Sequence, residues 1–286
     1  MCDDDIHVGR VVEPTVSRRT FGLMTVAAAG VAGSAQAATP VVETEVTIRT
    51  PDGEADAALY HPEGKGKWPA VLLWTDVAAL RPAFREMGRR LSAEGYVVLV
   101  PNVYYRSKKA PVIEPGFDFN KPEDRARLMA MRATLTPEAV DRDAGAYIAF
   151  LDARPQTDKK KKIGTQGYCM GGALSFRTAA VAPNRVGAVA SFHGSGLFTD
   201  KPDSPHLLIG KSHAEYLILI AGNDHQQDPT IEGKLRGSFA EARRTAKIEV
   251  YETTKHGWCV PGSAVYDQPA ADKAWAELLA LYKRAV

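Results

Sequence analysis

Gly164-Thr165-Gln166-Gly167-Tyr168-Cys169-Met170-Gly171-Gly172 is the stretch that decides the fold, because an apolar strand ends there and a small-residue helix, Ala173-Leu174-Ser175-Phe176, begins. It reads G-x-C-x-G. A nucleophile elbow needs its central residue on a strained strand-to-helix turn, with glycines two positions to either side so that the two backbones can approach closely. Gly167 and Gly171 stand at those places. The turn predicts Cys169 at a helix N-terminus, where the macrodipole favours a thiolate, and the Met170 backbone N–H facing a developing oxyanion. A buried structural cysteine is the plain alternative. A dinucleotide loop is disfavoured, since these glycines do not form G-x-G-x-x-G and do not lie in the first strand-helix unit.

Outward from the elbow, short apolar runs alternate with helical stretches. Ala70 to Trp74, Tyr96 to Val100, Ile163 to Thr165, Val186 to Ser191, Tyr216 to Ala221 and Ile248 to Tyr251 suit buried parallel strands. Pro82 to Ala93, Pro137 to Leu151 and Asp267 to Arg284 suit helices, the first two opening on a proline. Before them, Glu45 to Ile48, the turn Pro51-Asp52-Gly53 and Ala55 to Tyr60 form an expected β-hairpin. The predicted class is α/β: a mostly parallel, doubly wound sheet flanked by helices, with the hairpin at its N-terminal end. Tyr104 to Lys121 is a longer, proline-containing connection and a candidate lid. Lys159 to Lys162 precedes a strand and reads as a solvated turn.

Residues 1–38 read as an export signal of the twin-arginine type: Arg18-Arg19 precedes an Ala/Gly/Val run that ends in Ala35-Gln36-Ala37-Ala38. Cleavage is expected after Ala37, the destination is the periplasm, and no stable membrane anchor remains once the signal is removed. Residues 39–286 are then one catalytic domain, long enough for a large core. Removal of the signal takes Cys2 and leaves Cys169 and Cys259, too few for a disulfide framework. His256 and Cys259 make a poor zinc site, so neither metal nor cofactor is expected. A formal charge of +2 supplies no field to hold nucleic acid, which points to a small-molecule substrate. A monomer and a dimer both fit.

A thiol nucleophile needs a base and a carboxylate to orient it. Leu217 to Ala221 runs into Gly222-Asn223-Asp224-His225, and Ile248 to Tyr251 leads through Thr254-Lys255 to His256-Gly257-Trp258. Asp224 and His256 therefore fall at strand ends on the edge where this architecture binds ligands, in the order nucleophile, acid, histidine. Asp228 is a rival acid. The reading is hydrolysis of an ester, lactone or thioester through an acyl-thiol intermediate. Two other classes stay open: a hydrolase fold that binds a ligand without turnover, and a redox-responsive protein pairing Cys169 with Cys259.

The motifs Gly167-Tyr168-Cys169-Met170-Gly171-Gly172, Ala221-Gly222-Asn223-Asp224-His225 and Lys255-His256-Gly257-Trp258 resemble those of the dienelactone hydrolase family, the carboxymethylenebutenolidase-like α/β-hydrolases. So does the strand-helix-strand run from Ala70 to Asn102. The resemblance covers nearly all of the chain after residue 38. It implies a Cys169, Asp224, His256 triad and an oxyanion hole from the N–H groups of Met170 and Val77. The acid that modulates the resting thiol in the family falls on Asp76, a shorter side chain. The family prototype holds a substrate carboxylate with basic residues. One falls near Arg127, and the place of the other is taken by Val260. Arg81, Tyr105, Arg106, His193 and Trp258 are further substrate-binding candidates on the same edge.

Overall fold

The computed structural model describes residues 39–286, so the expected export signal lies outside the described residues. The chain forms β1 (Val41–Thr50), β2 (Gly53–Pro62), β3 (Ala70–Trp74), α1 (Pro82–Ala93) and β4 (Val97–Pro101). It continues through α2 (Pro122–Arg132), α3 (Pro137–Asp152), β5 (Ile163–Tyr168), α4 (Met170–Val181) and β6 (Val186–Phe192). A 3-10 turn, Pro205–Lys211, leads to β7 (Glu215–Ala221), α5 (Gly222–Gln227), α6 (Ile231–Ala242), β8 (Ala246–Tyr251) and α7 (Gln268–Ala285). One eight-stranded sheet results, ordered β1-β2-β4-β3-β5-β6-β7-β8. The β1-β2 hairpin and the β2-β4 pairing are antiparallel, and every other pairing is parallel. This is the α/β-hydrolase arrangement that the alternating pattern predicts.

Two helical layers cover the sheet. Phe84, Met87 and Leu91 of α1 pack with Trp275, Leu278 and Leu281 of α7 on one face. Val140 and Tyr147 of α3, Phe176 of α4 and Phe239 of α6 pack on the other. Strands β3, β4 and β5 are buried at every residue, which is why β3 and β4 read as continuous apolar runs instead of alternating ones. The helix starts are chemically marked. Thr136 caps α3 by accepting from the Ala139 N–H at 3.3 Å, and Asp267 caps α7 by accepting from the Ala270 N–H at 3.1 Å.

The structure adds α2, α5 and α6 to the helices expected from the sequence, and it gives the candidate lid, residues 104–121, anchors in the core. Tyr104, Val112 and Phe119 of that segment are buried in the same apolar cluster as Cys169. Asn102 fastens its start: its side-chain amide donates to Asp56 at 2.9 Å and to the Lys108 carbonyl at 2.8 Å. Lys159 to Lys162 are exposed, as a solvated turn requires.

Candidate active site

Because β3 and β5 to β8 run parallel, their C-terminal ends deliver Val77, Cys169, His193, Asp224 and His256 to one edge of the sheet. Cys169 joins β5 to α4 with φ 54° and ψ −122°, a strained position for a residue bearing a Cβ. The flanking glycines make the turn possible. A Cβ on Gly167 would sit 1.8 Å from the Gly171 carbonyl oxygen, and one on Gly171 would sit 2.5 Å from the Thr75 carbonyl oxygen. The elbow is thereby pressed against the end of β3, where Val77 lies. Met170 is the first residue of α4, so its N–H is among the donors that have no partner within the helix.

His256 Nδ1 and Asp224 Oδ2 are 2.7 Å apart, and the His256 backbone N–H donates to Asn223 Oδ1 at 2.7 Å. Asn223 and Asp224 thus hold the loop and the ring together. Asn223 was not singled out from sequence, although it stands beside Asp224. Asp228, the rival acid, is instead bonded to Thr230 and Lys234. Nε2 of His256 is buried without a well-aligned partner. Burial is the largest single influence on the ring and works against its charge, but the charge of Cys169 and the hydrogen bond to Asp224 outweigh it. The pKa of His256 stands well above 6.5. Long or misaligned contacts between base and nucleophile are usual before substrate binds.

His193 is fully enclosed. Its Nδ1 accepts from the Cys169 N–H at 3.2 Å, which places the ring proton on Nε2. Its ring meets His256 edge to face with centroids 4.6 Å apart and Trp258 at 5.2 Å. Burial and the neighbouring His256 push its pKa well below 6.5, so His193 is neutral. Trp258 is wholly buried and stacks on Tyr251, which makes it part of the floor beneath the histidines.

The remaining candidates are committed elsewhere. Asp76 and Arg81 form a two-pronged ion pair at 2.6 and 2.8 Å, with the Asp76 carboxylate also accepting from the Ala78 N–H. Tyr105 bonds Thr50 and Asp143, each at 2.7 Å, and Arg106 bridges Asp52 and Asp143. Arg127 extends from α2 into solvent beside Asp124. Val260 is buried in the core under α1 and α7. Both Cys169 and Cys259 are free thiols, and burial pushes the Cys259 thiol up, which keeps it protonated. Among the described residues no group of three or more His, Cys, Asp or Glu side chains is placed to hold a metal ion.

One buried side chain absent from the sequence-based candidates stands beside the elbow. Tyr104 donates its hydroxyl to the Val77 carbonyl at 3.1 Å and approaches Met170 Sδ at 3.5 Å. The only sequence signal for it was its place just after the end of β4.

The model of the dienelactone hydrolase family matches residues 55–286. Carboxymethylenebutenolidase of Pseudomonas putida is 26% identical over 229 residues, covering 79% of this chain and 90% of that protein. The fold is shared with solved structures. Dienelactone hydrolase from Anabaena variabilis superposes with a TM-score of 0.57 at 18% identity, over 85% of this chain and 96% of its own. The dienelactone hydrolase-like promiscuous phosphotriesterase P91 from metagenomic libraries gives 0.67 at 20%, over 86% and 98%.

Proposed function

We propose, from the premise that the chain belongs to the dienelactone hydrolase family and so acts on lactone or ester bonds, that Cys169 is the nucleophile of an acyl-thiol mechanism. The observation that carries this is the conjunction at one sheet edge of a strained elbow cysteine, a partly buried histidine with raised pKa and a carboxylate 2.7 Å from its Nδ1. Asp224 fixes the ring so that Nε2 faces the thiol, and the imidazolium balances a thiolate. Attack by sulfur on the substrate carbonyl forms the C–S bond and moves charge to oxygen. The N–H groups of Met170 and Val77 receive that charge, a contribution of about 3 kcal/mol per donor in such sites. Collapse expels the alkoxide, which takes the proton from His256. Neutral His256 then draws a proton from water as hydroxide adds to the thioester, and cleavage of the C–S bond releases the acid and restores the thiolate beside the imidazolium.

The substrate we favour carries no carboxylate next to the scissile bond. Arg81 is neutralised by Asp76, Arg106 by Asp52 and Asp143, and Val260 occupies a position where a cation would serve such a group. Cys169 belongs to the same apolar core cluster as Val112, Phe119 and Leu197, and we favour a small apolar acyl group. A screen of p-nitrophenyl esters, thioesters and lactones with the wild type and Cys169→Ala tests both points. Retained turnover in Cys169→Ala would overturn the thiol mechanism, and a preference for carboxylate-bearing lactones would overturn the substrate class. Export through residues 1–38 is also proposed. Replacing Arg18 and Arg19 by lysine should keep the protein in the cytoplasmic fraction.

A further inference from the structure

We propose that Tyr104 is a positioning residue of the hydrolytic site, its hydroxyl tying the loop of Val77 to the side chain of Met170 and thereby fixing the spacing of two oxyanion donors. The inference rests on the reading above that Val77 and Met170 supply those donors.

Three observations support it. Tyr104 lies just beyond the end of β4, which β3 separates from the elbow strand β5, and its side chain is wholly buried. Its hydroxyl donates to the Val77 carbonyl at 3.1 Å and lies 3.5 Å from Met170 Sδ, so one atom touches a residue of each donor loop. The Val77 loop is held on its other side by Asp76, whose carboxylate accepts from the Ala78 N–H at 2.9 Å and whose carbonyl accepts from the Ala79 N–H at 3.0 Å. Tyr104 supplies the matching restraint from below. The groups whose charges reach the hydroxyl are Asp76, Arg132 and Cys169, which places it within electrostatic range of the reacting sulfur. It is not itself an acid in the reaction: burial, followed by the charges of Asp76 and Cys169, raises its pKa far above neutrality.

Oxyanion donors act only when they sit within about 2.7–3.1 Å of the developing charge, so a small relaxation of the Val77 loop weakens transition-state binding while leaving ground-state binding nearly intact. The side chain of Tyr104 thus bears on kcat more than on KM.

The test is Tyr104→Phe, which keeps the ring and deletes the hydroxyl, assayed on the best ester from the screen. The expected result is a fall in kcat of about 10–100-fold with KM changed by less than about threefold. Affinity for an aryl trifluoromethyl ketone, which forms a hemithioketal oxyanion with the thiol, should fall in parallel. Replacing Tyr104 by p-aminophenylalanine, which retains a donor at the same place, should recover kcat to within about threefold of wild type. This second variant keeps the proposal open to refutation if Tyr104→Phe folds poorly, since an inactive but folded p-aminophenylalanine protein would overturn it. A Tyr104→Phe enzyme with unchanged kcat and unchanged ketone affinity would also overturn it. Cys169→Ala run beside these separates the two readings: full activity there sinks the thiol mechanism itself, whereas its loss alongside an unaffected Tyr104→Phe sinks only the role of Tyr104.

Discussion

Gly167→Ala adds one methyl group to a residue two positions from Cys169, the proposed nucleophile, and asks how tight the elbow is. In the native structure that methyl would lie 1.8 Å from the Gly171 carbonyl oxygen, 2.1 Å from its carbon and 2.7 Å from the Gly172 nitrogen. All three atoms are backbone, so no flexible side chain can yield. Non-bonded contacts of this kind close to about 3.0 Å at best, so β5 and the first turn of α4 must part by about 1.2 Å. Gly171 is bonded directly to Met170, whose N–H is one of the proposed oxyanion donors. A displacement near 1 Å at a reacting centre costs on the order of 100-fold in rate. Overpacking adds about 1–3 kcal/mol of destabilisation, which for a domain of this size is a fall in Tm of roughly 2–12 °C.

Initial rates on a p-nitrophenyl ester, iodoacetamide labelling of Cys169 and a thermal melt give the three readings. We expect kcat/KM down about 100-fold, slower labelling and a lower Tm. Gly233→Ala is the matched control, because its Cβ would meet nothing within 4 Å on α6. Alanine there should raise stability by about 0.5–1 kcal/mol and leave the rate unchanged. A Gly167→Ala enzyme with rate and Tm indistinguishable from wild type would refute the argument that close approach of strand and helix builds this site.

Asp224→Asn should lower kcat/KM by about ten-thousandfold if Asp224 orients His256 as proposed, by analogy with the same change in Ser-His-Asp triads. It should also move the His256 pKa downward, visible by NMR of the imidazole protons, because one support of its charge is removed. Asp76→Asn breaks the two-pronged pair with Arg81, whose partners are 14% and 15% exposed. It should cost about 1.5–3 kcal/mol in a denaturant melt and slow hydrolysis through the Val77 loop. The two histidines should give opposite pH dependences of stability. His256 has a raised folded pKa, so its contribution is fully present below about pH 6.5 and is lost as pH rises through the folded value. His193 has a lowered folded pKa, so its contribution is present above about pH 6.5 and is lost as pH falls. In His193→Phe the acid limb of Tm against pH should flatten while the alkaline limb stays, and an unchanged acid limb would count against neutral, buried His193.

What could be read in the sequence was whatever depends on local pattern. The glycine spacing about Cys169, the apolar runs of the inner strands and the proline-opened helices α1 and α3 each follow from neighbours along the chain. So does the order of Cys169, Asp224 and His256. Helix α6 was illegible because Gly233 and Gly237 interrupt it and only Leu235 and Phe239 are buried, too short an apolar stripe to show a helical period. Helix α2 is polar and buries only Asp124 and Leu128. The roles of Tyr105 and Arg106 depend on partners that only the fold supplies. Asp52, for example, meets Arg106 and Arg142 across 54 and 90 residues. Nothing in the spacing of these residues encodes such pairs.

Where local rules fail, they fail around one edge. Among the described residues, four that are not glycine have positive φ: Ala79, Cys169, His193 and Arg243. Arg243 ends α6 in the left-handed conformation common at helix C-termini. The other three lie on the loops leaving β3, β5 and β6, at φ 59°, 54° and 40°. Each such residue costs about 1–3 kcal/mol, so the strain persists only because its surroundings hold it. The Ala79 N–H is bonded to the Asp76 carbonyl, the Cys169 N–H to Phe192, and the His193 N–H to Leu219, at 3.0, 3.1 and 2.8 Å. Those last two bonds extend the parallel ladders β5-β6 and β6-β7 one step beyond the strands. The sheet itself therefore holds Cys169, the proposed nucleophile, and His193 out of their relaxed conformations, and stability spent in this way at three adjacent strand ends is what the proposed oxyanion site requires.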